Sequence, residues 1–219
     1  MTSQVGARLV FENAKNFAAS QGFSVDHAIA TQGFVRSEIA LSTTTANYHV
    51  PVLVNDTVNG AAFATEQRLQ LQDVFVVSEI GIFIAKPSSA TAVAFALNTY
   101  PNAQTFTTSS AALLALYNGS LNMTVNNQQI LPAWDIWRHY KANQTQNGVG
   151  VTAQTIFPVD QNDGANDGFY PSEPNILLNG AANIQANITL PGAVTTVDTY
   201  SRIVVLWRGI KLQNVTSVR

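Results

Sequence analysis

Residues 73–85, DVFVVSEIGIFIA, constrain this chain more than any other stretch. They are rich in β-branched and aromatic side chains and apolar on both alternating faces. Such a run belongs to a strand covered on both sides, in the middle of a sheet. Gly81 inside it predicts a bend or a bulge. Other segments alternate with the two-residue rhythm of strands. FVRSEIAL (34–41) places Val35, Ile39 and Leu41 on one face. NYHVPVLV (47–54) alternates Tyr48, Val50, Val52 and Val54, and Pro51 makes it an edge strand or a bulge. TAVAFALN (91–98), GVGVTAQTIFPV (148–159) and NIQANITL (183–190) read as further strands, and RIVVLWRGIKL (202–212) as a strong last strand interrupted by Gly209. No helical pattern lies between the strands from 34 to 98, which excludes a βαβ architecture.

Helical spacing occurs twice. In residues 5–19, Val10, Phe11, Ala14, Phe17 and Ala18 form an apolar stripe opposite Glu12, Asn13, Lys15 and Asn16, with Gly22 as the stop. The stripe packs on its own domain or docks on another subunit. Residues 107–119 form a short helix with Thr or Ser as N-cap, closed by Asn118–Gly119. Residues 160–175 are a long loop of Asp, Asn, Gly and Pro. The expectation is an all-β antiparallel sandwich of about eight principal strands, with a helical arm over 1–22 and one domain over 23–219. A single elaborated jelly roll fits that count; a double jelly roll is the alternative, and sixteen strands in 219 residues would leave very short loops.

The most organised stretch is 117–140, YNGSLNMTVNNQQILPAWDIWRHY. Leu121, Met123 and Val125 alternate with Asn122 and Thr124, and Asn126–Asn127 suits a hairpin turn because Asn tolerates positive φ. Asp135, Arg138 and His139 lie close together, but no companion motif accompanies them. Trp134 and Trp137 are three apart, so they share a helical face or flank a turn. They read as a domain-core pair or as an intersubunit contact, since Trp and Arg are enriched in interface hot spots.

Chemistry leaves few traces. Cysteine is absent, so disulfides and thiolate metal sites are excluded. His27, His49 and His139 are isolated, without metal-ligand spacing, and each reads as a surface or interface histidine. Asp160, Asp163 and Asp167 do not match a calcium-loop spacing, so 160–168 reads as a solvated loop, with calcium as the other possibility. Glu38, Glu66, Asp73 and Glu79 lie in or near strands with no motif to make two of them a glycosidase pair. There is no G-x-S-x-G elbow and no phosphate-cradling loop. No cofactor and no catalytic residue is expected. Arg202, Arg208, Lys211 and Arg219 cluster at the C-terminus and read as the polar edge of a last strand rather than as phosphate contacts. No run is long enough to span a membrane, and MTSQVGARLV lacks the pattern of a secretion signal.

Charge content bears on function. Asp, Glu, Lys and Arg make up 11% of residues, against about 25% in an ordinary soluble domain. Uncharged amides and hydroxyls take their place. Such a surface suits a protein packed against copies of itself.

In layout the chain resembles the jelly-roll major capsid proteins of small tailless bacteriophages. The resemblance rests on the N-terminal helix, EQRLQLQDVFVVSEIGIFIA (66–85), the 117–140 hairpin, FYPSEPNILLNG (169–180) and the closing RIVVLWRGIKL. It implies a virion structural protein that self-assembles, as trimers, with copies of itself and other virion proteins into an icosahedral shell. That family has no catalytic residues to carry over. The candidate interface residues are Trp134, Trp137, Arg138, Phe11 and Phe17. The alternative is a carbohydrate-binding or adhesive β-sandwich such as a fibre head domain, with Phe169–Tyr170 beside Asp163 and Asp167 as its binding loop.

Overall fold

The computed structural model describes residues 2–56, 62–141 and 168–217. The strand expected at 148–159 and the loop acids Asp160, Asp163 and Asp167 lie outside those residues, as does Arg219. The described chain runs α1 (Thr2–Ser20), β1 (Phe23–Ser24), β2 (Ile29–Ala40), β3 (Asn47–Val50), β4 (Val74–Ala85), α2 (Ser110–Tyr117), β5 (Ser120–Val125), β6 (Gln128–Asp135), a 3-10 turn (Ile136–His139), β7 (Phe169–Asn179), β8 (Ile184–Thr189), β9 (Arg202–Gln213) and β10 (Thr216–Ser217).

Eight of these strands form two four-stranded antiparallel sheets. The first has the order β2-β9-β4-β7 and the second β3-β8-β5-β6; β1 and β10 pair separately. The pairing is nested: β5 pairs β6, β4 pairs β7, β3 pairs β8 and β2 pairs β9. The chain therefore behaves as one long antiparallel ribbon folded back on itself, with successive rungs assigned alternately to the two sheets. The inward faces meet in one core that includes Val35, Ile39, Phe75, Ile80, Ile82, Leu121, Met123, Ile188, Val205 and Trp207.

The outer face of the first sheet is also covered. Ala14 and Ala18 of α1 are buried against Val74, Val76, Ile210 and Leu212, with Phe11 and Phe17 half-buried beside them. Gly22, at φ 88, ends the helix in the left-handed region that favours glycine. Val10, expected in the apolar stripe, is 54% exposed. Further along, Phe95 and Leu97 pack on Phe83 and Val204. Residues 91–98 are thus a covering segment and not the strand expected there; one bridge, Ile84 to Asn98, ties them down.

Other expectations shift for identifiable reasons. The bulge in β4 falls between Val77 and Glu79, not at Gly81. One extra residue there moves the inward set from Phe75 and Val77 to Ile80, Ile82 and Ile84, so apolar residues stay inside across the bend. Opposite it, Gly209 does not interrupt β9: an added Cβ would lie 1.9 Å from the Val76 carbonyl, so glycine is what lets the backbones approach. Strand β2 begins at Ile29, five residues earlier than its alternation suggested, because its first half is exposed on both faces. Residues 169–175 are not loop but the start of β7, where Pro171 and Pro174 are tolerated on a sheet edge. The turn at Asn126–Asn127 is as expected, with φ 49 and 64, and it joins Val125 to Gln128.

Candidate functional site

The 117–140 stretch is built outward from α2. The N-cap residue Ser109 does not cap the helix; its hydroxyl donates to Asp198. Asp198 also accepts from Thr108 Oγ1 at 2.7 Å and Lys86 Nζ at 2.9 Å. Burial alone would raise this carboxyl, but the bonds from Ser109, Thr108 and Lys86, with the lysine charge, hold it well below the usual carboxylate range. After α2, β5 buries Leu121 and Met123 while Asn122 and Thr124 face out. In β6 two register breaks add residues around Ile130 and Pro132, which removes the proline from the ladder.

The two tryptophans separate. Trp134 is buried, and its Nε1–H donates to His139 Nε2 at 2.8 Å. His139 is itself fully buried, not at the surface as expected. Its Nε2 must be the acceptor for Trp134, so the proton sits on Nδ1, which bonds the Gly168 carbonyl at 2.8 Å. Tyr170 meets the ring edge-on at 5.4 Å. Burial pulls the imidazole down to about 4 against the pull of the Gly168 bond, and the nearby Arg138 charge adds to the lowering. The Asp135 carboxylate turns instead to the Trp137 N–H, at 3.0 Å, and caps the 3-10 turn. Asp135 and His139 are therefore not a catalytic dyad; one caps a turn and the other ties that turn to the start of β7.

What the turn presents outward is Trp137, 52% exposed and stacked on Tyr140 with centroids 5.0 Å apart and planes 5° apart. Arg138 lies over the Trp134 ring at 4.1 Å. Of the five residues expected at an interface, Trp137 and Arg138 share this surface. Trp134 lies beneath it, and Phe11 and Phe17 sit on the other side of the first sheet in α1.

A second constellation was not assembled from the sequence. Glu38 accepts from Arg202 and from Arg36, each at 2.8 Å, and from the Thr65 hydroxyl. Glu66 accepts from the N–H groups of Glu38 and Phe63 and from Arg68, all at 2.9 Å. The Arg202 guanidinium covers the Phe63 ring at 3.8 Å and donates to the Ala90 carbonyl. The two acids are thus committed to arginines and backbone, and the network pins residues 62–69 and 89–90 to the first sheet. The described C-terminal cations, Arg202, Arg208 and Lys211, do not form a polar edge. Strand β9 is central, Arg202 is buried, Arg208 lies over Phe169 at 3.4 Å, and Lys211 pairs with Asp73. The signal available in sequence was their rarity: acids and arginines inside apolar strands of a charge-poor chain need buried partners.

Phe169 and Tyr170, expected on a binding loop, pack within β7 against Phe83 and His139. On the second sheet's outer face, His49 Nε2 lies 2.5 Å from Asp56 and its Nδ1 3.3 Å from the Asn187 amide oxygen. They border a cleft of about 490 Å³ lined by Asn55, Asn183 and Gln185. Among the described residues no three metal-ligating side chains gather, and no helix is long and apolar enough to cross a membrane. The chain matches no family model, no curated protein and no solved structure.

Proposed function

We propose that this chain is a non-enzymatic virion structural protein, a single jelly roll that assembles with copies of itself, as trimers, into a closed shell. The observation that carries the reading is where the charge goes. Arg36, Arg68, Lys86, Arg202, Arg208 and Lys211 all pair with acids of the same chain. A chain already poor in charge thus spends much of it internally, while Trp137, Phe34, Ile29 and Val10 stand exposed. A free monomer is ordinarily kept apart from its copies by the opposite arrangement. The nested pairing of eight strands in two sheets supports the jelly roll, an architecture common in shells.

Trp137→Ala tests the reading. Trp137 is half exposed, so the expected result is weaker oligomers, by about 2–4 kcal/mol per contact as for a hot-spot tryptophan, with the monomer's melting temperature unchanged. A variant that melts early but assembles normally would place Trp137 in the core account and remove it from the interface. The carboxamide-lined cleft beside His49 favours a second reading, an adhesive sandwich that binds glycans; glycan binding by a stable monomer would select it.

A further inference from the structure

Among the described residues the sandwich has four outer strand edges, and three are blunted. Strand β3 has four residues and is followed by Pro51. Strand β6 carries Pro132 and two bulges, and β7 carries Pro171 and Pro174. Proline, bulges and shortness are how sheets keep edges from pairing with other chains. The fourth edge, β2, is twelve residues long. Its second half is closed by its own chain: Arg36 N–H donates to the Gln67 carbonyl at 2.8 Å, Gln67 N–H returns to Arg36 at 3.0 Å, and Glu38 N–H goes to Glu66.

Those bonds fix the parity of the strand. Even-numbered residues turn their backbone groups away from β9, odd-numbered ones toward it. Ala30, Gln32 and Phe34 therefore aim N–H and C=O outward, and among the described residues nothing bonds them. The stretch Ile29–Val35 has no charge and no proline, and Ile29 and Phe34 are 59% and 46% exposed.

We propose that residues 29–35 are a pairing edge for a second copy of this chain, which joins through its own β2 about a two-fold axis at Gln32. The inference rests on the self-assembly reading above. Among the described strands β2 is the one long, unblunted edge, so it is the strand that a copy can offer, and a two-fold closes both edges at once. In that register Gln32 faces Gln32 of the second copy and Ala30 faces Phe34. Each such pair exchanges two backbone hydrogen bonds, and the first sheets of the two copies become continuous.

The test uses the full chain, whose sequence contains no cysteine. Gln32→Cys introduces a thiol at the two-fold, where paired Cα atoms about 5.5 Å apart lie within disulfide reach. Oxidation of the assembled variant should yield disulfide-linked dimers at least tenfold faster than a Gln129→Cys control on the blunted β6 edge. Gln32→Pro removes an outward N–H without touching the ladder to β9; it should retain the β-sheet circular dichroism of the parent and lose the dimer. Equal cross-linking rates, or a folded proline variant that assembles as the parent does, would overturn the proposal. A parent chain that stays monomeric would remove the assembly reading and this one together, whereas an assembled chain whose Gln32→Cys variant fails to cross-link removes this one alone.

Discussion

The outer face of the first sheet carries Val74, Val76, Ile210 and Leu212 under α1 and Phe83 and Val204 under residues 95–97, whereas the second sheet shows Asn122, Thr124, Gln185 and Asn187 on its outer face, none of them buried. One sheet is a middle layer and the other an outer wall. The middle layer needs its own chain as cover and holds its charges in ion pairs, the Glu38–Arg202 pair buried, while the wall meets solvent or a neighbour with amides. Substitutions should consequently be expensive in the first sheet and nearly silent on the back of the second.

The largest contrast lies at Glu38. Removing its carboxylate leaves Arg202, which is 2% exposed, without its acid. Glu38→Ala should cost about 3–5 kcal/mol in denaturant unfolding, because one half of a buried ion pair is stranded. A cost under about 1 kcal/mol would mean that the network pins nothing.

Next is the tie between the sheets at His139. Its folded-state value, near 4, lies below the ordinary 6.5. Below pH 6.5 the unfolded chain takes up a proton that the folded chain refuses, so stability falls as pH drops from about 6.5 to about 4 and is level above. The expected loss from this residue is about 3 kcal/mol over that window. In His139→Gln that part of the slope should vanish; an unchanged slope would assign it to other groups.

The smaller contrast compares the two outer faces directly. Val76→Ala under α1 should cost about 2 kcal/mol, from two carbons lost at a covered site. Gln185→Ala on the second sheet should stay within about 0.5 kcal/mol. Equal costs would erase the distinction between layer and wall.

How far the sequence revealed this follows from the same contrast. In β5 and β8 of the wall alternation is strict, so SLNMTV and NIQANITL were legible residue by residue, down to the Asn126–Asn127 turn, whereas the twice-bulged β6 beside them shows no such alternation. In the middle layer the apolar run of 73–85 was legible as a covered strand, but its periodicity could not show the one-residue bulge at Ser78, because either register keeps apolar side chains on both faces. Residues 91–98 have a strand's composition and only one bridge, since what they bury is a sheet's back and not an edge. The exposed half of β2 carries no alternating burial and so gave no signal. His139 looked like surface because its partners, Trp134 and the Gly168 carbonyl, are brought together by a turn and by a strand 29 residues further on. The Glu38–Arg202 pair spans 164 residues, a distance no local pattern reports.

Self-assembly is the centre of this account, and the mass of the purified chain in solution tests it most directly. Multi-angle light scattering after size exclusion, with negative-stain electron microscopy, should find trimers or closed particles whose masses are multiples of 23.5 kDa at micromolar concentration. A single species at the mass of one chain, unchanged as concentration rises, would contradict it.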